Sequence, residues 1–166
     1  MSVFENIAPS GAGHQANGMT IIKADVRHVD LIVPLFDQYR QFYGQKSDPV
    51  GARGFLFFRM SRGESVVFLA VNEQGDALGF SQLYPSFSSI SMKKLWILND
   101  LFVLPKARGL GLAKALMARA IQLSKETGAE GLFLQTANEN LPAQALYEKF
   151  GFVRDEVFLT YTLVTF

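Results

Sequence analysis

The chain has 166 residues, 49% of them apolar, 13% aromatic and 19% charged, with a formal net charge of +1. That is enough for one domain with a real core and too few for two ordinary ones, and the near-neutral balance gives no electrostatic reason to expect a nucleic-acid partner. There is no cysteine, which removes disulfides, thiol nucleophiles and Cys-based zinc sites. The two histidines, His14 and His28, leave too little for a metal cluster or a Ser-His-Asp triad, so no metal is expected.

Residues 1–18 are rich in Gly, Ser, Ala and Asn and read as a flexible tail. They lack the basic and long apolar regions of a secretory signal. No apolar run approaches the roughly 20 residues of a membrane span. The expected address is cytoplasmic, with no membrane partner.

After the tail, MTIIKA (19–24) predicts a short strand. Asp25 can cap a helix running to about Tyr43, with Leu31, Leu35, Tyr39 and Phe42 near helical spacing and His28 in solvent at its start. GQKSDP is a loop and VGARGFLFFRMSRG a second helix. SVVFLAV, NEQGD and ALGFSQLY predict strand, turn and strand. FSSISMKK is a turn or bulge. LWILNDLFVL is so continuously apolar that it predicts a strand buried on both faces, and Pro105 stops it. A helix follows from about Gly111 to Thr127, closed by Gly128. GLFLQTA predicts a strand, and NENLPAQALYEKF a helix capped by Asn140 with Pro142 in its first turn. GFVRDEVFLTYTLVTF predicts a closing strand pair or one bent strand. The order is mixed α/β, with consecutive hairpin strands and one strand–turn–helix unit.

RGLGLAKALMARA (108–120) sets two glycines, both poor helix formers, directly before a helix. A helix N-terminus leaves backbone N–H groups unpaired and carries partial positive charge, so an anion is favoured there. Arg108 at the mouth adds a guanidinium suited to bidentate phosphate contact. The stretch has the parts of a pyrophosphate cradle. It is not a P-loop, because GLAK lacks the Gly-Lys-Ser/Thr ending. It is a poor dinucleotide fingerprint, because Lys114 stands at the sixth position and the turn follows a hairpin. A tight strand-to-helix turn without ligand is the remaining reading of a lone Gly-x-Gly.

Two motifs narrow this. LNDLFVLPKARGLGLAKALM resembles the central motif of the GNAT superfamily of N-acetyltransferases, Arg/Gln-x-x-Gly-x-Gly/Ala after an apolar strand ending in Val-x-Pro, with Arg108, Gly111 and Ala113 in place. Downstream, Asn140, Ala143, Leu146, Tyr147, Lys149, Gly151 and Phe152 stand in the register of a second GNAT signature. YRQFYGQ and YPSFSSISMKKLWILNDLFV look like the small-molecule amine branch. The resemblance covers about residues 19–165 and implies one α/β (α+β) domain over 19–166, with a mostly antiparallel twisted sheet of about seven strands flanked by about four helices. It implies acetyl-CoA as co-substrate and a primary amine of a small molecule as acceptor, a polyamine, amino acid or related metabolite, attacked directly in a ternary complex.

On that resemblance, the backbone of Arg108, Gly109, Leu110, Gly111, Leu112 and Ala113 would hold the pyrophosphate. The main chain of Phe102 and Val103 would hold the pantetheine arm, and Asn140 and Ala143 would touch the cofactor from the next helix. Lys106 and Lys114 lie within reach of the 3′-phosphate or simply face solvent. Tyr147 is the expected general acid, since a phenol can protonate a departing thiolate. Tyr39, Phe42, Tyr43, Tyr84, Phe87 and Trp96 are candidates for an aromatic acceptor pocket. Asn99 stands where polyamine acetyltransferases often carry a carboxylate, and asparagine cannot take a proton. Asp100 is adjacent, but strand alternation is expected to turn it to the other face. A protein acetyltransferase and a non-enzymatic acyl-CoA-binding domain are the alternatives on the same fold. The apolar, β-rich EVFLTYTLVTF would be a hazardous exposed edge, so a homodimer is expected.

Overall fold

The strand expected at MTIIKA is β1 (Met19–Ala24) in the computed structural model, which describes residues 18–165. The expected tail over 1–18 lies, apart from Gly18, outside the described residues. Asp25 caps a single 3-10 turn, its carboxylate accepting the Arg27 N–H at 2.9 Å while His28 Nδ1 accepts the Asp25 N–H at 3.1 Å. That reciprocal cap buries His28, which the sequence places in solvent. The helix proper, α1 (Val29–Phe42), runs through Pro34. Asp48 caps α2 (Pro49–Ser61) by accepting the Gly51 N–H at 2.9 Å, and Pro49 opens it where a missing N–H costs nothing.

β2 (Val66–Asn72), β3 (Ala77–Ser88) and β4 (Lys93–Val103) form an antiparallel meander. The third strand, expected to end near Tyr84, is carried on to Ser88 by pairing with β4, and only residues 89–92 turn. After α3 (Leu112–Glu126), a two-residue β5 (Leu132–Phe133) pairs in parallel with Trp96 and Ile97. The sheet order is β1-β2-β3-β4-β5. α4 (Leu141–Lys149) completes a mixed α/β fold of five strands and four α-helices among the described residues.

Helices cover both faces of the sheet. Ile32, Leu35 and Phe36 of α1 and Leu56 of α2 pack on Val67, Leu69, Phe80 and Phe102. Leu112, Leu116, Met117, Ala120 and Leu123 form the buried stripe of α3, whose Arg119 lies over the Phe68 ring on the opposite face. Being covered twice, β2 reads Val67-Phe68-Leu69-Ala70 without alternation, each fully buried. Burial of each such large side chain stabilises by roughly 1.5–3 kcal/mol.

One compact unit ends at Leu134 and contains the whole sheet; a second begins at Gln135. In the second, Asn140 caps α4 through the Ala143 N–H at 3.4 Å. The sheet has five strands among the described residues rather than about seven, because GLFLQTA forms only two paired residues and the C-terminal segment forms none. Asp155 instead sets a local bend, its carboxylate accepting the N–H groups of Val157 and Phe158 at 2.8 and 3.0 Å. β-branched and aromatic composition favours a strand only when a neighbouring strand supplies the ladder.

Candidate active site

β4 ends at Val103, a 3-10 turn (Pro105–Ala107) follows, and Arg108 leads into the glycine loop. Gly109 and Gly111 have φ of +80° and +83°, a conformation that L side chains rarely adopt. A Cβ at either would meet nothing within 4 Å, so conformation and not crowding demands glycine, and the loop faces open space. Gly111 is the N-cap of α3 and supplies no side-chain cap; Ala115 is the first N–H to reach back, to the Gly111 carbonyl at 3.0 Å. The N–H groups before it have no intrahelical acceptor and point out of the helix end. These features fit a pyrophosphate. Leu112 is buried and anchors the loop, while Leu110 is exposed. Arg108 is tied back, its Nε donating to the Val103 carbonyl at 3.3 Å.

β5 pairs with β4 only at Trp96 and Ile97, so in this unit the same edge of β4 has no ladder partner from Leu98 to Val103 among the described residues. On the other side Gly79 pairs with Val103, and a Cβ at Gly79 would lie 2.7 Å from the Phe102 carbonyl oxygen. Only glycine lets β3 lie this close to Phe102 and Val103, a requirement the sequence reading missed.

The decisive feature is a β-bulge. Gln82 pairs with Asp100 but Leu83 pairs with Leu98, so Asn99 is an extra residue in β4. The bulge breaks the two-residue alternation: Leu98 and Trp96 go to the α3 face and Asp100 to the α1 face with Phe102. Asp100 is therefore not turned away from the candidate residues, as alternation predicts; it lies among them, and Asn99 is the exposed one. Asp100 Oδ1 accepts from Asn99 Nδ2 at 3.0 Å and Oδ2 from Gln82 Nε2 at 2.8 Å. The Tyr39 hydroxyl reaches the Asn99 carbonyl oxygen at 3.4 Å and also hydrogen-bonds to Asp100. Gln82 Nε2 donates as well to the Tyr84 hydroxyl at 2.9 Å. Burial pushes the Asp100 carboxyl above the usual carboxylate range, against the downward pull of Gln82, Tyr39 and Asn99. Burial and the facing Asp100 likewise push the Tyr84 phenol up.

The structure thus brings Tyr39, Tyr84 and Asn99 together around Asp100. Tyr43 continues outward from Tyr39, their ring centroids 5.1 Å apart, to half exposure. Phe42 and Phe87 are largely exposed. Trp96 does not join them; it is buried on the α3 face, its Nε1 donating to Thr127 Oγ1 at 2.8 Å. In the second unit, Tyr147 lies on α4 with its ring 6.0 Å from Phe152, and Asn140 and Ala143 share the helix cap. Among the described residues no group of three or more His, Asp and Glu could hold a metal, and no helix is long and apolar enough to cross a membrane.

Comparison with known proteins points to one family. The model of the Acetyltransferase (GNAT) family matches residues 32–152. An uncharacterized N-acetyltransferase of Bacillus subtilis, YhfO, is 46% identical over 145 residues, covering 87% of this chain and 97% of that one. The streptothricin acetyltransferase of Streptomyces lavendulae is 35% identical over 89 residues, 54% of this chain and 45% of that one. The crystal structure of a probable acetyltransferase superposes with a TM-score of 0.83 at 45% identity, over 87% of this chain and 97% of that one. Motifs, fold and relatives agree: the chain belongs to the GNAT family of acetyltransferases.

Proposed function

We propose that residues 19–166 act as one domain that moves the acetyl group of acetyl-CoA to the primary amine of a small molecule by direct attack. The observation that carries the reading is Asp100: a buried carboxylate of raised proton affinity, held by Tyr39, Asn99 and Gln82. An alkylammonium of pKa about 10 must lose a proton before it attacks, and Asp100 is the group to take it. Because Asp100 is only 3% exposed, the proton reaches it by way of the Tyr39 hydroxyl. Tyr39 and Tyr43 offer ring faces to a cationic amine.

Bound acetyl-CoA would supply the thioester carbon. The backbone of Arg108 to Ala113 at the α3 N-terminus would hold its pyrophosphate, with Asn140 and Ala143 assisting, and the β4 main chain at Phe102 and Val103 would orient the acyl arm. Tyr147 protonates the leaving thiolate. The family match, over residues 32–152, includes residues of both units.

Calorimetric titration with acetyl-CoA, with NADH and ATP as controls, tests this. Saturable one-site binding of acetyl-CoA alone is expected, followed by turnover in a screen of amino acids, diamines and other small amines. Gly111→Ala should weaken that binding about tenfold, because alanine resists the positive φ by roughly 1–2 kcal/mol. Binding of the controls instead, or turnover of peptides only, would overturn the proposal.

The same reading includes a homodimer. Val157, Phe158, Leu159, Tyr161 and Leu163 are each at least 75% exposed, an apolar run that a second copy would cover. Light scattering at micromolar concentration should give twice the chain mass; a single-chain mass would refute it.

A further inference from the structure

The buried groups around Asp100 leave one atom unaccounted for. Gln82 is fully buried, yet its Oε1 has no hydrogen-bond partner. Both hydrogens of its Nε2 are committed, one to Asp100 Oδ2 at 2.8 Å and one to the Tyr84 hydroxyl at 2.9 Å. An orphaned buried carbonyl is costly, and a glutamine that served only as packing would not retain it. The chemistry of Asp100 supplies the reason. An ionised carboxylate only accepts hydrogen bonds, so the amide must show it the amino group. A protonated carboxyl donates, and the Tyr84 hydroxyl can donate too. The same amide turned by half a rotation would then present Oε1 to both.

We propose that Gln82 is the positioning residue of this site: its amide ties Asp100 to Tyr84 through one amino group while Asp100 is ionised, and turns over to present its carbonyl when Asp100 takes up a proton. The proton step balances simply. One N–H bond of the acceptor ammonium breaks, one O–H bond forms on Asp100, and the amine nitrogen keeps the electron pair for attack. Gln82 exchanges no proton; it changes which of its atoms faces Asp100. A hydrogen bond donated to a charged group is stronger than one accepted from a neutral group, so Gln82 on balance favours the ionised base. The other groups facing Asp100 are Tyr39 from α1, Tyr84 from β3 and Asn99 from β4. Arg59 of α2 acts on Tyr84 and is paired to Glu64 at 2.9 Å. The catalytic meaning of this device rests on Asp100 being the base.

The test is an NMR titration of the full chain, following the Asp100 carboxyl carbon and the Gln82 side-chain amide. Both should move with one shared midpoint. In Gln82→Met the Asp100 midpoint and the acid limb of kcat/KM should move together to higher pH, a loss of about tenfold at a fixed pH on that limb, with KM for acetyl-CoA unchanged. If the Gln82 amide stays still while Asp100 titrates, or if the variant keeps the wild-type midpoint, the proposal fails. The wild-type titration needs no variant to fold. Asp100→Asn separates the two ideas: undiminished turnover there removes the base, and Gln82's catalytic role with it, whereas lost turnover beside a silent Gln82 removes only the positioning role.

Discussion

Asp100→Asn is expected to lower kcat by about 10²- to 10⁴-fold near neutral pH, the usual contribution of a positioned general base. The deficit should shrink as pH approaches the acceptor's own pKa of about 10, where the amine arrives already deprotonated. Affinity for acetyl-CoA should not change, because the hydrogen bonds of Asp100 run to Gln82, Asn99 and Tyr39 and not to the glycine loop. Stability should move the other way. The folded carboxyl is held above its ordinary value of 3.8 by burial, so the unfolded chain gives up this proton at lower pH than the folded one. Below the unfolded value both states are protonated and no penalty exists. As pH rises from there to the folded value, the native state binds more protons than the unfolded state and loses stability, and above it the full penalty remains. Asparagine does not titrate. The melting temperature of the variant relative to wild type should therefore rise through that window and then level off. Parallel melting profiles, or a constant rate deficit up to pH 10, would show that Asp100 is neither strained by burial nor the base.

Tyr147→Phe should also cost about 10²-fold or more in kcat, but on the leaving-group side of the reaction. A thiol has a pKa of about 8.5, so its thiolate departs unaided only in alkaline solution. The loss should be deepest below that pH and fade above it, the mirror of a base defect. The ring contact with Phe152 survives in the variant, so the melting temperature should change by no more than a few degrees and calorimetric binding of acetyl-CoA should persist. Wild-type turnover in Tyr147→Phe would reduce the residue to packing. The pH dependence separates the two variants: one recovers as the amine deprotonates, the other as the thiolate becomes a tolerable leaving group.

Local chemistry in the chain already announced the fold family and the glycine loop. Asp25 and Asn140 mark helix starts because their side chains satisfy orphan N–H groups a few residues ahead. Gly109 and Gly111 mark a loop whose backbone no L side chain readily adopts. Such signals depend on neighbours in sequence, and so does the spacing of the second motif on α4. The proposed base was not legible in this way. Period-two alternation applied to β4 sends Asn99 and Asp100 to opposite faces and turns Asp100 away from Tyr39 and Tyr84. The bulge that corrects it is a property of two strands, visible only when Gln82 is matched to Asp100 and Leu83 to Leu98. The same pairing decides that Tyr84 joins the site and Trp96 packs behind it under α3. Among the described residues GLFLQTA yields only a two-residue strand and the C-terminal run none. Residue preference along one segment states what a strand can be; the partner across the ladder settles its register, its length and the direction of each side chain.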